Sequence, residues 1–94
     1  MNEHELAVAM IEKYGVEKQT AIAAEELNEL QKECFKNNRG IQDDVHLAEE
    51  IADVEICLEQ LKVAYPNVVM YLPSLKQAKI DRTELRYLTP KVKP

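Results

Sequence analysis

Two short stretches of this chain carry carboxylates at a spacing that matters: Glu26-Leu27-Asn28-Glu29 reads E-x-x-E, and Glu50-Ile51-Ala52-Asp53 reads E-x-x-D. On an α-helix, residues three apart share one face about a turn apart, so each stretch offers two oxygen ligands side by side. If the two helices pack antiparallel, both pairs converge on one four-carboxylate cluster. Ionised carboxylates crowded together near apolar surface must be protonated, paired or bound to a cation. All-oxygen, all-anionic ligands suit hard cations, Mg²⁺ with Mn²⁺ as its substitute, and disfavour zinc or copper. Four carboxylates balance two divalent ions and leave open positions for water and phosphate oxygens. Acidic residues at i, i+3 are ordinary on solvated helices, so the weight lies in two such pairs on consecutive helices.

Positioning them requires helices, and the composition supplies little else. The chain has 94 residues, 46% hydrophobic and 31% charged, which bounds it to one small globular domain over residues 1–94. Only two glycines and four prolines occur, and no run of alternating β-branched residues, so an all-α fold follows: a small antiparallel bundle of about four helices. The first is predicted from about Glu3 to Tyr14, stopped by Gly15. The second runs from Val16 or Glu17 to Lys36 and ends in Asn37-Asn38-Arg39-Gly40. Asp43 or Asp44 starts the third, which reaches Tyr65, where Pro66 blocks extension. Pro73 is read as the first residue of a fourth helix reaching about Tyr87, with 67–72 left open and the tail from Thr89 loosely held.

Helical geometry then places the acids. Taking Ile22 as zero, Glu26, Glu29 and Glu33 fall within about 40° of it, a ridge bordering an apolar stripe of Ala23, Leu27, Leu30 and Cys34. Around the third helix, His46, Glu50, Asp53, Cys57, Gln60 and Ala64 share another line. Leu47, Ile51, Val54, Leu58 and Leu61 flank that line on one side, Ile56 and Val63 on the other. A helix so apolar is expected at the centre of the bundle. The two cysteines, Cys34 and Cys57, lack a C-x-x-C pattern and read as small buried hydrophobes.

The segments Ala23-Ala24-Glu25-Glu26-Leu27-Asn28-Glu29 and Leu47-Ala48-Glu49-Glu50-Ile51-Ala52-Asp53-Val54 closely resemble the MazG-like all-α nucleoside triphosphate pyrophosphohydrolase family. That family's signature is E-E-x-x-E followed after a gap by E-x-x-D, here Glu25, Glu26, Glu29, Glu50 and Asp53, with 20 residues between Glu29 and Glu50. The resemblance covers roughly residues 3 to 88. It implies hydrolysis of a nucleoside triphosphate between the α- and β-phosphates, with Mg²⁺ held by Glu26, Glu29, Glu50 and Asp53. It assigns Glu25 to orienting water, with a solvated surface glutamate as the plain alternative. Lys79, Arg82 and Arg86, at i, i+3 and i+7 of the fourth helix, resemble the family's basic positions and are candidates to hold the triphosphate. They equally suit the negative end of a helix dipole. Tyr14, Tyr65 and Tyr71 could stack on a base, although packing is the commoner role. A single motif set on four short helices implies a site completed between subunits, as a homodimer or homotetramer.

Composition excludes several other classes. A net charge of -5 and a pI near 5.0 without a basic block argue against nucleic acid as the main ligand. The absence of a long apolar run and of a basic-then-apolar start predicts a cytoplasmic protein with no membrane partner. Phosphoribosyl-ATP pyrophosphohydrolase is the rival within the same fold, and a non-catalytic helical adapter the rival outside it. A di-iron bundle requires Glu-x-x-His on two helices, and His4 and His46 do not provide it.

Overall fold

The computed structural model describes residues 1–88, which form four α-helices and no strand. Helix α1 spans Glu3–Tyr14, α2 Val16–Asn38, α3 Asp44–Ala64 and α4 Asn67–Tyr87. Each boundary has a local cause. The Asn2 side chain accepts from the Glu5 N–H at 2.8 Å and the Asp43 side chain from the His46 N–H at 3.0 Å, so both α1 and α3 start on capped donors. Gly15 joins α1 to α2 at φ 89°, ψ 162°, a backbone conformation open essentially to glycine alone. Gly40, at φ 85°, turns the chain out of α2.

Helices α2 and α3 form the principal antiparallel pair, α1 packs chiefly on α3, and α4 approaches only α3. The α2–α3 register is defined by three facing pairs: Gln19 with Gln60, Glu26 with Asp53, and Glu33 with His46. Seven residues along α2 correspond each time to seven in the opposite direction along α3. This is the 3.5-residue period of helices that pack along a continuous seam. Ala23, Val54 and Cys57 are the apolar residues buried in and beside it, and Ala7 is the buried contribution of α1.

Four expectations are corrected. The acidic ridge of α2 does not border the buried face; Gln19, Ala23, Glu26, Leu30 and Glu33 are the line facing α3, while Leu27 is 46% exposed and Cys34 is exposed. Only Cys57 is buried as anticipated. Helix α3 does touch the other three helices, yet Ile51 and Leu58 on its outer flank are 41% and 44% exposed, and among the described residues no helix covers them fully. Helix α4 begins six residues before Pro73, with Pro66 as its N-cap. Pro73 costs one intrahelical hydrogen bond, to the Val69 carbonyl, and on a helix with no buried residue water can replace it. The tail expected to be loosely held lies outside the described residues from Thr89 onward.

Candidate metal centre

The seam holds three polar layers, and the middle one brings three of the sequence-predicted ligands together. Carboxylate oxygens of Glu26, Glu50 and Asp53 all lie within 4.8 Å of one another. Glu26 comes from α2; Glu50 and Asp53, one turn apart, come from α3. Burial pushes the Glu26 carboxyl above its ordinary pKa, and Asp53, Glu50, Glu29 and Glu25 push it further the same way. The Cys57 thiol beside it is raised as well, first by burial and then by Glu26 and Asp53. Among the described residues, no lysine or arginine pairs with any of the three carboxylates; the only basic side chain against them is His46.

Glu50 is held from one side. His46 Nε2 lies 3.3 Å from Glu50 Oε1, and Nδ1 of the same ring lies 2.9 Å from Glu33 Oε2. Both ring nitrogens thus face carboxylate oxygens, a bridge in which each donates when it carries a hydrogen. Glu33, its side chain only 3% exposed, also receives Lys36 Nζ at 3.4 Å. The other oxygen of Glu50, Oε2, is buried and has no hydrogen-bond partner, and the same holds for Glu33 Oε1. Sealed acceptors without donors are uncommon and destabilise a fold by about 1–3 kcal/mol each. Glu50 Oε2 belongs to a residue whose neighbours Glu26 and Asp53 are also acceptors, so a proton held on the group or a cation would satisfy it. Oxygen-only donors of this charge fit a hard divalent ion such as Mg²⁺.

Other predicted site residues fall elsewhere. Glu29 does not join the cluster; its side chain is half exposed and sits 3.4 Å from Lys32 Nζ. Glu25 is exposed, next to Glu26 in sequence and on a different face of α2. Lys79, Arg82 and Arg86 are all exposed on α4, the helix that approaches only α3, and make no contact with the cluster within this chain. Arg86 instead lies over the Tyr87 ring, 6.0 Å from its centroid. Tyr65 hydrogen-bonds Thr20 Oγ1 at 2.8 Å, fastening the end of α3 to the start of α2.

The Glu33–His46 support and the Gln19–Gln60 layer, in which Gln19 Nε2 donates to Gln60 Oε1 at 2.9 Å, were not anticipated. Their signal is the repeated spacing of seven, 19, 26, 33 against 46, 53, 60. No family model, curated protein or solved structure matches the chain. No described helix is long and apolar enough to cross a membrane.

Proposed function

We propose that the chain is a Mg²⁺-dependent nucleoside triphosphate pyrophosphohydrolase of the MazG-like all-α kind, cleaving the α–β phosphate bond to give a nucleoside monophosphate and pyrophosphate. One observation carries the reading: Glu26, Glu50 and Asp53, three residues of the five-carboxylate motif, converge within 4.8 Å across an antiparallel helix pair. Bound there, Mg²⁺ would neutralise charge on the phosphates and lower the pKa of a water. The chain's own residues do the rest. Glu26, Glu50 and Asp53 supply the ligand oxygens, and Glu29, one turn from Glu26 and paired with Lys32, would join them only if that pairing were released. His46 holds the Oε1 oxygen of Glu50. Glu25, exposed and adjacent to Glu26, would orient the attacking water in this reading. Lys79, Arg82 and Arg86 would meet a triphosphate only from another copy, which makes a homodimer or homotetramer part of the proposal. Nucleotide-pool control in the cytoplasm is the role that fits.

The test is pyrophosphate release from a panel of canonical and damaged (deoxy)nucleoside triphosphates and phosphoribosyl-ATP, with and without Mg²⁺. Turnover that requires Mg²⁺ and falls by at least about 100-fold in Glu50→Gln and Asp53→Asn is expected, since even outer-shell changes cost 10- to 100-fold. Normal turnover in both variants would end the assignment.

A further inference from the structure

Among the described residues one charged side chain is buried, and it lies outside the acid cluster. Glu33 is 2% exposed and sits one layer beyond Glu26 on α2. Burying a carboxylate destabilises a fold unless its partners offset the cost, and a well-packed apolar residue in its place is often neutral or better. The partners here are incomplete. Lys36 Nζ at 3.4 Å and His46 Nδ1 at 2.9 Å both meet Oε2, while Oε1 has no partner. Stability alone is a weak reason for an acid at this position. The contact with His46 is a better one, because the same ring reaches the cluster.

His46 stands one turn before Glu50 on α3, and its part-exposed ring would turn broadly about its last torsion if nothing held it. Glu33 holds it from the facing helix. With Nδ1 against Glu33 Oε2, the opposite edge of the ring brings Nε2 to 3.3 Å from Glu50 Oε1. The other oxygen of Glu50 is enclosed by protein. One oxygen held and the other enclosed leave the carboxylate no freedom to turn both oxygens toward an ion as a chelating pair.

That restriction separates the two common hard divalent ions. Mg²⁺ demands a near-octahedral shell at about 2.1 Å and takes carboxylate oxygens singly, whereas Ca²⁺ gathers about six to eight oxygens at about 2.4 Å, uses chelating carboxylates and tolerates flexible ligands. We infer that Glu33 is a positioning residue that acts through His46 to keep Glu50 a one-oxygen ligand, and so biases the centre toward Mg²⁺ over Ca²⁺. This role rests on the reading of Glu26, Glu50 and Asp53 as a divalent-cation site.

Calorimetry on the full metal-free chain, with Mg²⁺ and with Ca²⁺ in separate titrations, gives the ratio of the two dissociation constants. Glu33→Leu is expected to shift that ratio toward Ca²⁺ by at least about tenfold, the lower end of what changes around a ligand cost at metal sites. Glu33→Gln keeps an oxygen for the imidazole and should hold the wild-type ratio. His46→Ala removes the hold from the other end and should shift the ratio as Glu33→Leu does, which provides a second variant if leucine at this position does not fold. The ratio is decisive because a packing role for Glu33 would change both constants by the same factor. An unchanged ratio in the folded variants overturns the positioning role and leaves the metal centre standing. A wild-type chain that binds neither ion overturns the metal centre, and the role of Glu33 with it.

Discussion

Glu26 is the residue at which sequence, burial and charge meet. Its carboxyl titrates above the ordinary range because burial and four neighbouring acids disfavour the anion. A carboxyl raised on folding contributes stability below its unfolded pKa and loses that contribution as pH rises through the folded value. The Mg²⁺-free protein should therefore lose stability as pH climbs from the acid side to neutrality, and Glu26→Gln should flatten this window and melt a few degrees higher at neutral pH. Added Mg²⁺ should raise the melting temperature of the wild-type chain and not of the variant; thermal melts across pH measure both. His46 makes a second prediction. Because it holds one oxygen of Glu50 and is anchored by Glu33, His46→Ala should raise the Mg²⁺ concentration for half-saturation by about 10- to 100-fold in calorimetry, with the fold retained. His46→Gln, which keeps one donor, should recover part of the loss. The triad Glu26, Glu50 and Asp53 was legible from residue type and spacing alone. Glu29 was not separable from it, since a wheel gives the face of a helix but not which partner a long side chain takes, and here Lys32 competes for it.

At the scale of elements, the punctuation carried the reading. Gly15, Gly40, Asp43 and Pro66 set their helix ends within about two residues of expectation because each acts through a local backbone preference, while the Asn2 cap of α1 was not part of the expectation. Pro73 misled for the same reason: it suits a helix start, but Pro66 had already supplied one, and an exposed helix tolerates a proline inside it. The polar seam was beyond reach for a different cause. Helical angles placed the acids on one line of each helix, between apolar flanks on α3, but the α2 line was put at the border of its apolar stripe. Gly15 provides the test at this scale. Its φ of 89° and ψ of 162° lie where an L side chain costs about 1–3 kcal/mol, although a Cβ there would meet no atom within 4 Å. Gly15→Ala should accordingly lower the melting temperature by about 4–8 °C per kcal/mol lost, through backbone strain and without a clash.

The described residues measure 60 × 38 × 23 Å with a radius of gyration of 17.3 Å; a compact chain of about this length would have about 12 Å. Helix α4 is the reason. It spans 21 residues, buries none, and exposes Leu75 and Ile80 at 55% and 49%, while Ile51 and Leu58 of α3 are also uncovered. Apolar surface on this scale is what an obligate interface covers. Light scattering should give a dimer or larger species in solution, and Leu58→Asp or Ile80→Asp should shift it toward monomer and weaken Mg²⁺-dependent turnover. The three layers of the α2–α3 contact bear on assembly of the fold itself. Sliding one helix past the other by a full repeat would keep every small apolar residue in the contact. In one direction, though, Glu33 would land on Asp53, and in the other it would overshoot the start of α3, losing His46 either way. A carboxylate so enclosed makes both slipped alignments costly, so the same charges that invite a cation also choose the one pairing in which the helices can come to rest.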